Sequence, residues 1–271
     1  MTSATRRVLS VVFVLLAVAC TQGEPERVTP SPSELPDGTG IGLPRGDQPV
    51  KLKPGEFTPD IDHPFLPLKP RTRWVYREID EEGAELRVVV TATTQTKMIA
   101  NGVRARVVRD TVYEDGELIE DTFDWFAQDA DGNVWYLGED TAEFSDGKLT
   151  TREGSFEAGV DGAMAGILLP ARPRPGMAYR QEYYKGHAED NGEVLSTNEM
   201  AQVPFGRFRN ALLTKDTNTL EPNVLEYKLY ARGVGLVLTL GVSGGAGREE
   251  LLELNRVSAD AGLGPLGSPG R

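Results

Sequence analysis

Cysteine, histidine and net positive charge are scarce in this chain, and each scarcity excludes a class of protein. The 271 residues include one cysteine and two histidines. An internal disulfide framework and a zinc site built from several cysteines are therefore excluded. The 29 basic residues are outnumbered by 41 acidic ones, which gives a formal net charge of −12. Because such a chain lacks the basic surface that binds nucleic acid, we expect no nucleic-acid partner.

Long hydrophobic runs are also scarce, and the clearest one lies near the N-terminus. Residues 8–18 are almost entirely apolar and follow two arginines, which predicts a signal peptide over residues 1–19 rather than a transmembrane helix. The run ends in Ala17-Val18-Ala19-Cys20, which resembles a bacterial lipobox. This resemblance implies acyl chains on Cys20 that hold the protein to a membrane. We predict an exported, membrane-anchored lipoprotein of the cell envelope, on its periplasmic or extracellular face. An ordinary signal peptide with an unrelated cysteine is the alternative.

Proline is concentrated in one part of the sequence. Residues 21–60 hold eight of the eighteen prolines and almost no aromatic residue. Such a stretch buries too little apolar surface to offset its ordering entropy. We therefore predict a disordered linker over residues 20–60, beginning at the lipidated cysteine. The Gly- and Pro-rich residues 259–271 are predicted to form a flexible tail, which leaves residues 61–258 as a single domain.

Within this domain the hydrophobic pattern is that of strands. Residues 86–93 are rich in β-branched side chains, and residues 103–107 alternate between apolar and charged. Three Asp-Gly pairs, ending at Gly116, Gly132 and Gly147, predict hairpin turns. Residues 249–257 suit a helix or a strand, and we favour a strand. The predicted fold class is all-β and mainly antiparallel, as a curved sheet or half-barrel.

A Gly- and Ala-rich segment, residues 154–176, interrupts this pattern. It is too irregular for a regular strand, and three prolines close it. An apolar, flexible segment between strands suggests a lid-like loop over a cavity, whereas a long loop packed on the body is the alternative. The predicted ligand-lid residues are Phe156, Met164, Ile167, Leu168 and Leu169.

Carboxylates supply the remaining candidate chemistry. One imidazole beside acids can bind a divalent metal, although a solvated loop explains the same spacing. The candidate metal ligands are Glu182, His187, Glu189 and Asp190. A wider carboxylate site, metal-binding or glycosidic, would add Asp124, Glu139, Asp140, Glu157 and Asp161. A glycosidic site requires two carboxyls about 5–10 Å apart. The G-x-S-x-G pattern at residues 241–245 has no histidine after it, so no hydrolase elbow is predicted. No catalytic residue and no cofactor are assigned.

Several segments together resemble a family of bacterial envelope lipoproteins that have no assigned activity. They include DWFAQDADGNVWYLGEDT (residues 124–141), GSFEAGVDGAMAGI (154–167), YRQEYYKGHAED (179–190) and EYKLYARGVGLVL (226–238). The last of these, with residues 203–222, is also similar to a wider group of periplasmic proteins whose fold is like the half-barrels of the LolA/LolB kind. That resemblance implies a curved sheet with a concave face able to hold an acyl chain. It carries no catalytic residue onto this chain.

These observations leave three hypotheses for function. The first is a non-catalytic module that binds a lipid or another apolar or amphipathic ligand in a large cavity. The second is a surface interaction or scaffold protein with a filled core and an exposed patch for its partner. The third is the carboxylate-based site. Ligand identity and oligomeric state are left open.

Overall fold

A computed structural model describes residues 42–243 and 247–268 of the chain. Cys20, the predicted signal peptide and the first part of the predicted linker lie outside these residues. Within the described ranges, none of the helices has both the length and the apolar character needed to cross a membrane.

The regular secondary structure of the described residues is almost entirely β-strand, with a single 3-10 turn at Pro54–Glu56. The sixteen strands among these residues are β1 (Phe57–Thr58), β2 (Thr72–Ile79), β3 (Glu85–Met98), β4 (Arg104–Glu114), β5 (Glu117–Asp129), β6 (Val134–Ser145), β7 (Lys148–Thr151), β8 (Phe156–Glu157), β9 (Met164–Leu169), β10 (Ala178–Arg180), β11 (Glu182–Tyr183), β12 (Asp190–Val203), β13 (Gly206–Asn218), β14 (Leu225–Ala231), β15 (Gly235–Ser243) and β16 (Arg248–Arg256).

Thirteen of these strands follow one another in a single antiparallel sheet, in the order β10-β12-β13-β14-β15-β16-β2-β3-β4-β5-β6-β9-β11. β1 pairs with β5, while β7 and β8 pair with β6. The two ends of this path, β10 and β11, are separated in the chain only by Gln181. The sheet therefore curves back on itself as a nearly closed barrel. The predicted all-β, antiparallel fold class is confirmed, and the predicted strand at residues 249–257 corresponds to β16.

A close backbone approach occurs where the barrel closes. A Cβ atom added to Gly166 in β9 would lie 2.3 Å from the carbonyl carbon and oxygen of Gln181. No side chain fits at that distance. Glycine at this position therefore lets β9 reach the chain between β10 and β11.

Hairpin turns define two ends of the barrel. The upper end carries the turns at residues 80–84, 115–116 and 219–224, and the lower end carries those at 99–103, 130–133 and 204–205. Asp115 and Gly116 have φ angles of 50° and 86°, as a two-residue type I′ hairpin requires. The Asp-Gly pair at residues 146–147 has the same signs, with φ angles of 52° and 69°. These positive φ angles explain why the predicted hairpin turns form at the two Asp-Gly pairs.

The predicted linker is wrong for residues 42–60, which pack against the barrel. The buried Arg180 side chain donates from Nη1 to the carbonyls of Gly46 and Gln48, at 2.7 and 2.6 Å. Further along, β1 pairs with the end of β5, and Phe57 makes an edge contact with Trp135. Backbone hydrogen bonds order this proline-rich segment, although its own apolar surface is small.

The predicted flexible tail is also wrong for residues 259–268. This segment crosses the barrel over a buried ion pair between Arg109 in β4 and Asp121 in β5, whose side chains are 1% and 0% exposed. Arg109 donates to the carbonyls of Gly262, Gly264 and Pro265, and the amide of Gly267 donates to Asp121. The tail is fixed because its backbone satisfies a charge pair that is out of reach of water.

Candidate functional site

The barrel encloses a cavity of about 410 Å³. Strands from around the whole barrel contribute to its wall. Large apolar residues on the lining are Leu66, Leu68, Trp74, Val90, Val108, Phe126, Leu168, Leu220 and Leu236. Acidic residues on the lining are Asp110, Glu120, Asp124, Glu139, Glu153, Glu182, Asp190 and Glu221.

The two kinds of lining residue are unevenly distributed along the barrel. Along β4 the lining passes from Val108 to Asp110 towards the upper end, and Trp74 and Val90 lie in register with Asp110 across the sheet. Along β5 it passes from Phe126 near the lower end through Asp124, which pairs with Val108, up to Glu120. These side chains face the interior because a strand has a two-residue period. Most of the acids lie towards the upper end of the cavity, and most of the apolar residues lie towards the lower end.

Residues 61–68 form the floor of the cavity. Leu66 and Leu68 are buried and line it from below. His63 fixes this segment, since its Nε2 lies 3.0 Å from the carbonyl of Pro170 and its Nδ1 accepts from the amide of Phe65 at 3.2 Å. Burial lowers the pKa of His63. His63 therefore anchors residues 61–68 as a neutral imidazole with its proton on Nε2.

A tyrosine hydroxyl joins two acids of the upper part. The Tyr136 hydroxyl lies 2.8 Å from an Asp124 oxygen and 2.9 Å from a Glu139 oxygen. Its single proton can serve only one of them, so the other carboxyl must carry a proton to complete the pair of hydrogen bonds. Burial raises the pKa of Asp124 to about 6, and burial together with the Asp124 charge raises that of Glu139 well above its usual range.

Glu182 in β11 and Asp190 in β12 form a second acidic pair. Their carboxyls lie close enough for each to affect the ionisation of the other. Burial, followed by the charge of Asp190, raises the pKa of Glu182 well above its usual range. Burial also raises the pKa of Asp190 to about 6. The Oδ1 atom of Asp190 is buried and has no hydrogen-bond partner among the described residues.

Asp110 and Glu120 complete the acidic wall on β4 and β5. Burial and the nearby carboxylates raise the pKa of Asp110 well above its usual range. Burial raises that of Glu120 to about 7. The Oδ1 atom of Asp110, like that of Asp190, is buried without a hydrogen-bond partner in the described part of the chain.

Lys228 is the one lysine or arginine among the described lining residues. Its Nζ lies 2.9 Å from an Asp216 oxygen and 3.4 Å from a Glu226 oxygen. Burial lowers the pKa of Lys228, but these two carboxylates outweigh that effect and hold its pKa above the ordinary value. The ammonium is thus already neutralised by residues beside it in the sheet.

The four candidate metal ligands do not form a metal site. Glu189 accepts a hydrogen bond from the amide of Gly186 at 2.9 Å, and the His187 ring stacks on Tyr184 with centroids 4.4 Å apart. Within the ranges that the structure describes, no group of three or more His, Cys, Asp or Glu side chains is placed to hold a metal ion. The prediction is wrong because neighbours in sequence point in different directions around the 184–189 turn, leaving Glu182 and Asp190 as a carboxyl pair.

The predicted lid is largely a strand of the barrel wall. Met164–Leu169 is β9, which pairs with β6 and β11. Leu168 lines the cavity, whereas Ile167 and Leu169 are fully buried on the opposite face of the strand. Phe156 packs edge-on against Tyr136, with ring centroids 5.6 Å apart. Glycines that suggested a loop instead permit close backbone contacts, as at Gly166.

The wider set of candidate acids divides in two. Asp124, Glu139, Glu182, His187 and Asp190 converge on the cavity. The others are engaged elsewhere: Asp140 pairs with Arg152, Glu157 with Lys97 at 2.8 Å, and Asp161 occupies an exposed turn with a φ of 48°.

Sequence reasoning missed Asp110, Glu120, Glu221 and Lys228 as lining residues. One signal was present for Asp110, because it alternates with Val108 and Val112 along β4. A charged residue on the apolar face of an alternating strand indicates a wet or functional interior.

Comparisons with known proteins give no family assignment. No family model and no curated protein matches the chain. Similar solved structures include a Bacteroides fragilis protein described as exported and YmcC-like in fold, with 16% identity, a TM-score of 0.43 and coverage of 70% of this chain and 98% of the other. A Parabacteroides distasonis protein described as a lipoprotein has 12% identity, a TM-score of 0.37 and coverage of 70% and 98%.

A third similar structure is a β-barrel-like protein from Brucella abortus containing a domain of unknown function. It shows 15% identity and a TM-score of 0.34 over 69% of this chain and 98% of the other. Similarities at this level do not assign a function.

Proposed function

We propose that this protein is a membrane-anchored protein of the cell envelope, tethered through acyl chains on Cys20, whose barrel binds an amphipathic ligand without catalysis. The cavity is the observation that carries the proposal. Its volume of about 410 Å³ falls within the range of small-molecule sites. An apolar floor below a polar upper part matches a ligand with an apolar body and a polar head.

The acids of the cavity favour binding over glycosidic chemistry. A glycosidase holds its substrate between two carboxyls. Here the Tyr136 hydroxyl occupies the space between Asp124 and Glu139, at 2.8 and 2.9 Å from their oxygens. No sugar ring can lie between these two carboxyls while the hydroxyl bridges them.

The cavity also distinguishes this proposal from a scaffold without a small ligand. A scaffold of that kind would have a core filled by its own side chains. Large side chains such as Trp74 and Phe126 instead border open space.

Binding of an apolar fluorescent probe tests the proposal. The chain from Cys20 onward contains every described residue, and production without export leaves Cys20 unacylated. We expect N-phenyl-1-naphthylamine to bind in a 1:1 ratio with enhanced fluorescence. Leu168→Trp should remove this binding because the larger side chain fills the cavity from β9.

Leu149→Trp is the matched control. Leu149 is 54% exposed and lies on β7, away from the cavity lining. It receives the same substitution and should leave probe binding unchanged. Absence of probe binding by the unmodified chain, or equal binding by both variants, would contradict the proposed function.

A further inference from the structure

The upper part of the cavity contains hydrogen-bond acceptors that the described residues leave free. Asp110 and Asp190 line the cavity, and the Oδ1 atom of each is buried without a hydrogen-bond partner among those residues. A buried acceptor without a partner loses the free energy of its hydrogen bonds to water. A donor that enters with a ligand would therefore stabilise both carboxyls.

Donors beside these atoms are already engaged. The Tyr76 hydroxyl donates to the carbonyl of Leu236 at 3.1 Å, and the hydroxyls of Thr122 and Thr141 bond each other at 2.6 Å. Lys228 is held by Asp216 at 2.9 Å. The wall thus has an excess of acceptors, which a ligand rich in N–H donors would balance.

The charge of the cavity lining favours the same type of ligand. Eight acidic side chains of the described residues line the cavity, against one lysine. An anionic head group would meet these acids and would have to displace Asp216 or Glu226 from Lys228. A cationic head group would replace the protons that the buried acids hold and would form charge-assisted hydrogen bonds.

From these contacts we infer that the ligand is an amphiphile with a primary ammonium head, which lies among the acids of the upper part while its apolar body lies on Trp74, Phe126 and Leu168. This inference rests on the proposed function and names the class of ligand for the same cavity. Asp110 on β4 and Asp190 on β12 line the cavity from different sides, and the carboxyl of each can pair with such a head. The end of the apolar body would then lie against the floor formed by Leu66 and Leu68.

Three detergents with the same octyl chain separate head-group chemistry from apolar binding. Octylamine, octyl glucoside and octyl sulfate are each titrated into the chain from Cys20 onward, below micelle-forming concentrations, at neutral pH. Calorimetry gives the affinity, and native mass spectrometry gives the ratio. We expect one octylamine per chain, bound about tenfold or more tightly than octyl glucoside, because charge-assisted hydrogen bonds form only with the amine.

Asp110→Asn and Asp190→Asn keep the shape of the side chain and remove its charge. Each should weaken octylamine binding about tenfold and leave octyl glucoside binding unchanged. Asp140→Asn is the control, since Asp140 pairs with Arg152 outside the cavity and should have no effect on either ligand. Thermal unfolding of each variant verifies that it is folded, and two separate aspartate variants keep the test valid if one of them does not fold.

The outcomes distinguish this inference from the proposed function. Equal affinity for octylamine and octyl glucoside, or tighter binding of octyl sulfate, would overturn the ammonium head while leaving an amphiphile-binding cavity. Octylamine binding that Asp140→Asn weakens as much as Asp110→Asn would show attraction to the acidic surface and would also overturn it. No binding of any octyl compound would contradict the proposed function itself.

Discussion

Buried charge occurs in two places in this barrel, and the two differ in how completely the protein satisfies it. Beneath the C-terminal tail, Arg109 and Asp121 form a bidentate pair, and backbone groups of residues 262–267 take up the remaining hydrogen-bonding capacity. Inside the cavity, Asp110 and Asp190 each retain a buried oxygen without a partner among the described residues.

This difference separates structural charge from charge that is available to a ligand. A buried ion pair with all its hydrogen bonds made fixes the segments that contact it. An acid away from any cation instead holds its proton more strongly, as burial and the nearby carboxylates do for Asp110 by raising its pKa well above the usual range. Burial also raises the pKa of Asp190, to about 6, although Lys228 opposes that effect. The tail is therefore held in place by its contacts with Arg109. The acids of the cavity, in contrast, outnumber the cations beside them.

The largest effect we expect comes from making the same substitution in both places. Asp121→Asn should lower the free energy of unfolding by about 3–5 kcal/mol, because it leaves the guanidinium of Arg109 buried without its counter-ion. Asp110→Asn should cause no loss, since it replaces a carboxyl that already resists ionisation. Urea unfolding at pH 7 measures both. Similar losses for the two variants would show that the comparison between the two sites is mistaken.

The pH dependence of stability should follow the buried acids of the barrel. Their pKa values are raised in the folded state, to about 6 for Asp124 and Asp190 and about 7 for Glu120 and Glu249. The folded protein keeps protons that the unfolded chain releases above about pH 4.5. The free energy of unfolding should therefore fall between about pH 5 and pH 8, by about 1.4 kcal/mol per pH unit for each such proton.

Urea unfolding across this pH range provides the measurement, and Glu120→Gln is the informative variant. It should make the decline shallower near pH 7, because one of the retained protons is removed. A free energy of unfolding that stays level or increases over the range would argue against the raised pKa values.

The smallest effect that we expect concerns the contact between the C-terminal tail, residues 259–268, and strand β3. Gly262 and Gly147 both have positive φ angles, of 74° and 69°. A Cβ on Gly262 would lie 3.0 Å from Cγ2 of Thr93, whereas one on Gly147 would meet nothing within 4 Å. Alanine at either position should cost about 1 kcal/mol in backbone strain. At Gly262 we expect about 1 kcal/mol more, since the tail must move away from β3.

Thermal or urea unfolding of the two alanine variants isolates this difference, because the backbone contribution is shared. Hydrogen exchange at the Gly267 amide, which donates to Asp121, should become faster in Gly262→Ala and remain unchanged in Gly147→Ala. If the two variants had equal free energies of unfolding and equal exchange rates, this contact would not be what holds the tail in place.

Local sequence patterns predicted the strands but misjudged the segments that flank them. Alternation and Asp-Gly pairs are local signals, so β4 and the turn at Asp115 and Gly116 could be located from the sequence. Residues 42–60 and 259–268 were predicted to be unstructured on composition. Their order comes from backbone carbonyls that satisfy Arg180 and Arg109, and composition contains no information about such long-range partners.

The candidate site likewise combines residues that the sequence indicated with residues that only the structure brought together. Five of the nine wider candidates converge on the cavity. Asp110 lies on β4, where no chemistry was anticipated, and Glu120 lies on β5, where only Asp124 was a candidate. The predicted lid residues were chosen for their apolar character in a glycine-rich segment, and four of the five, Met164, Ile167, Leu168 and Leu169, belong to β9 of the barrel wall.

The sequence by itself determined an antiparallel all-β protein, because the two-residue period and the Asp-Gly turns act between neighbours in the chain. Tertiary structure decided where the sheet closes and which acids meet. Asp110 and Asp190 lie on strands far apart in sequence, and only the curvature of the sheet and the pairing of β10 with β12 bring them to the same cavity. Burial there raises the pKa of these carboxyls, while the one lysine of the described lining is held by Asp216 and Glu226. The proposed selection of a cationic ligand depends on that arrangement.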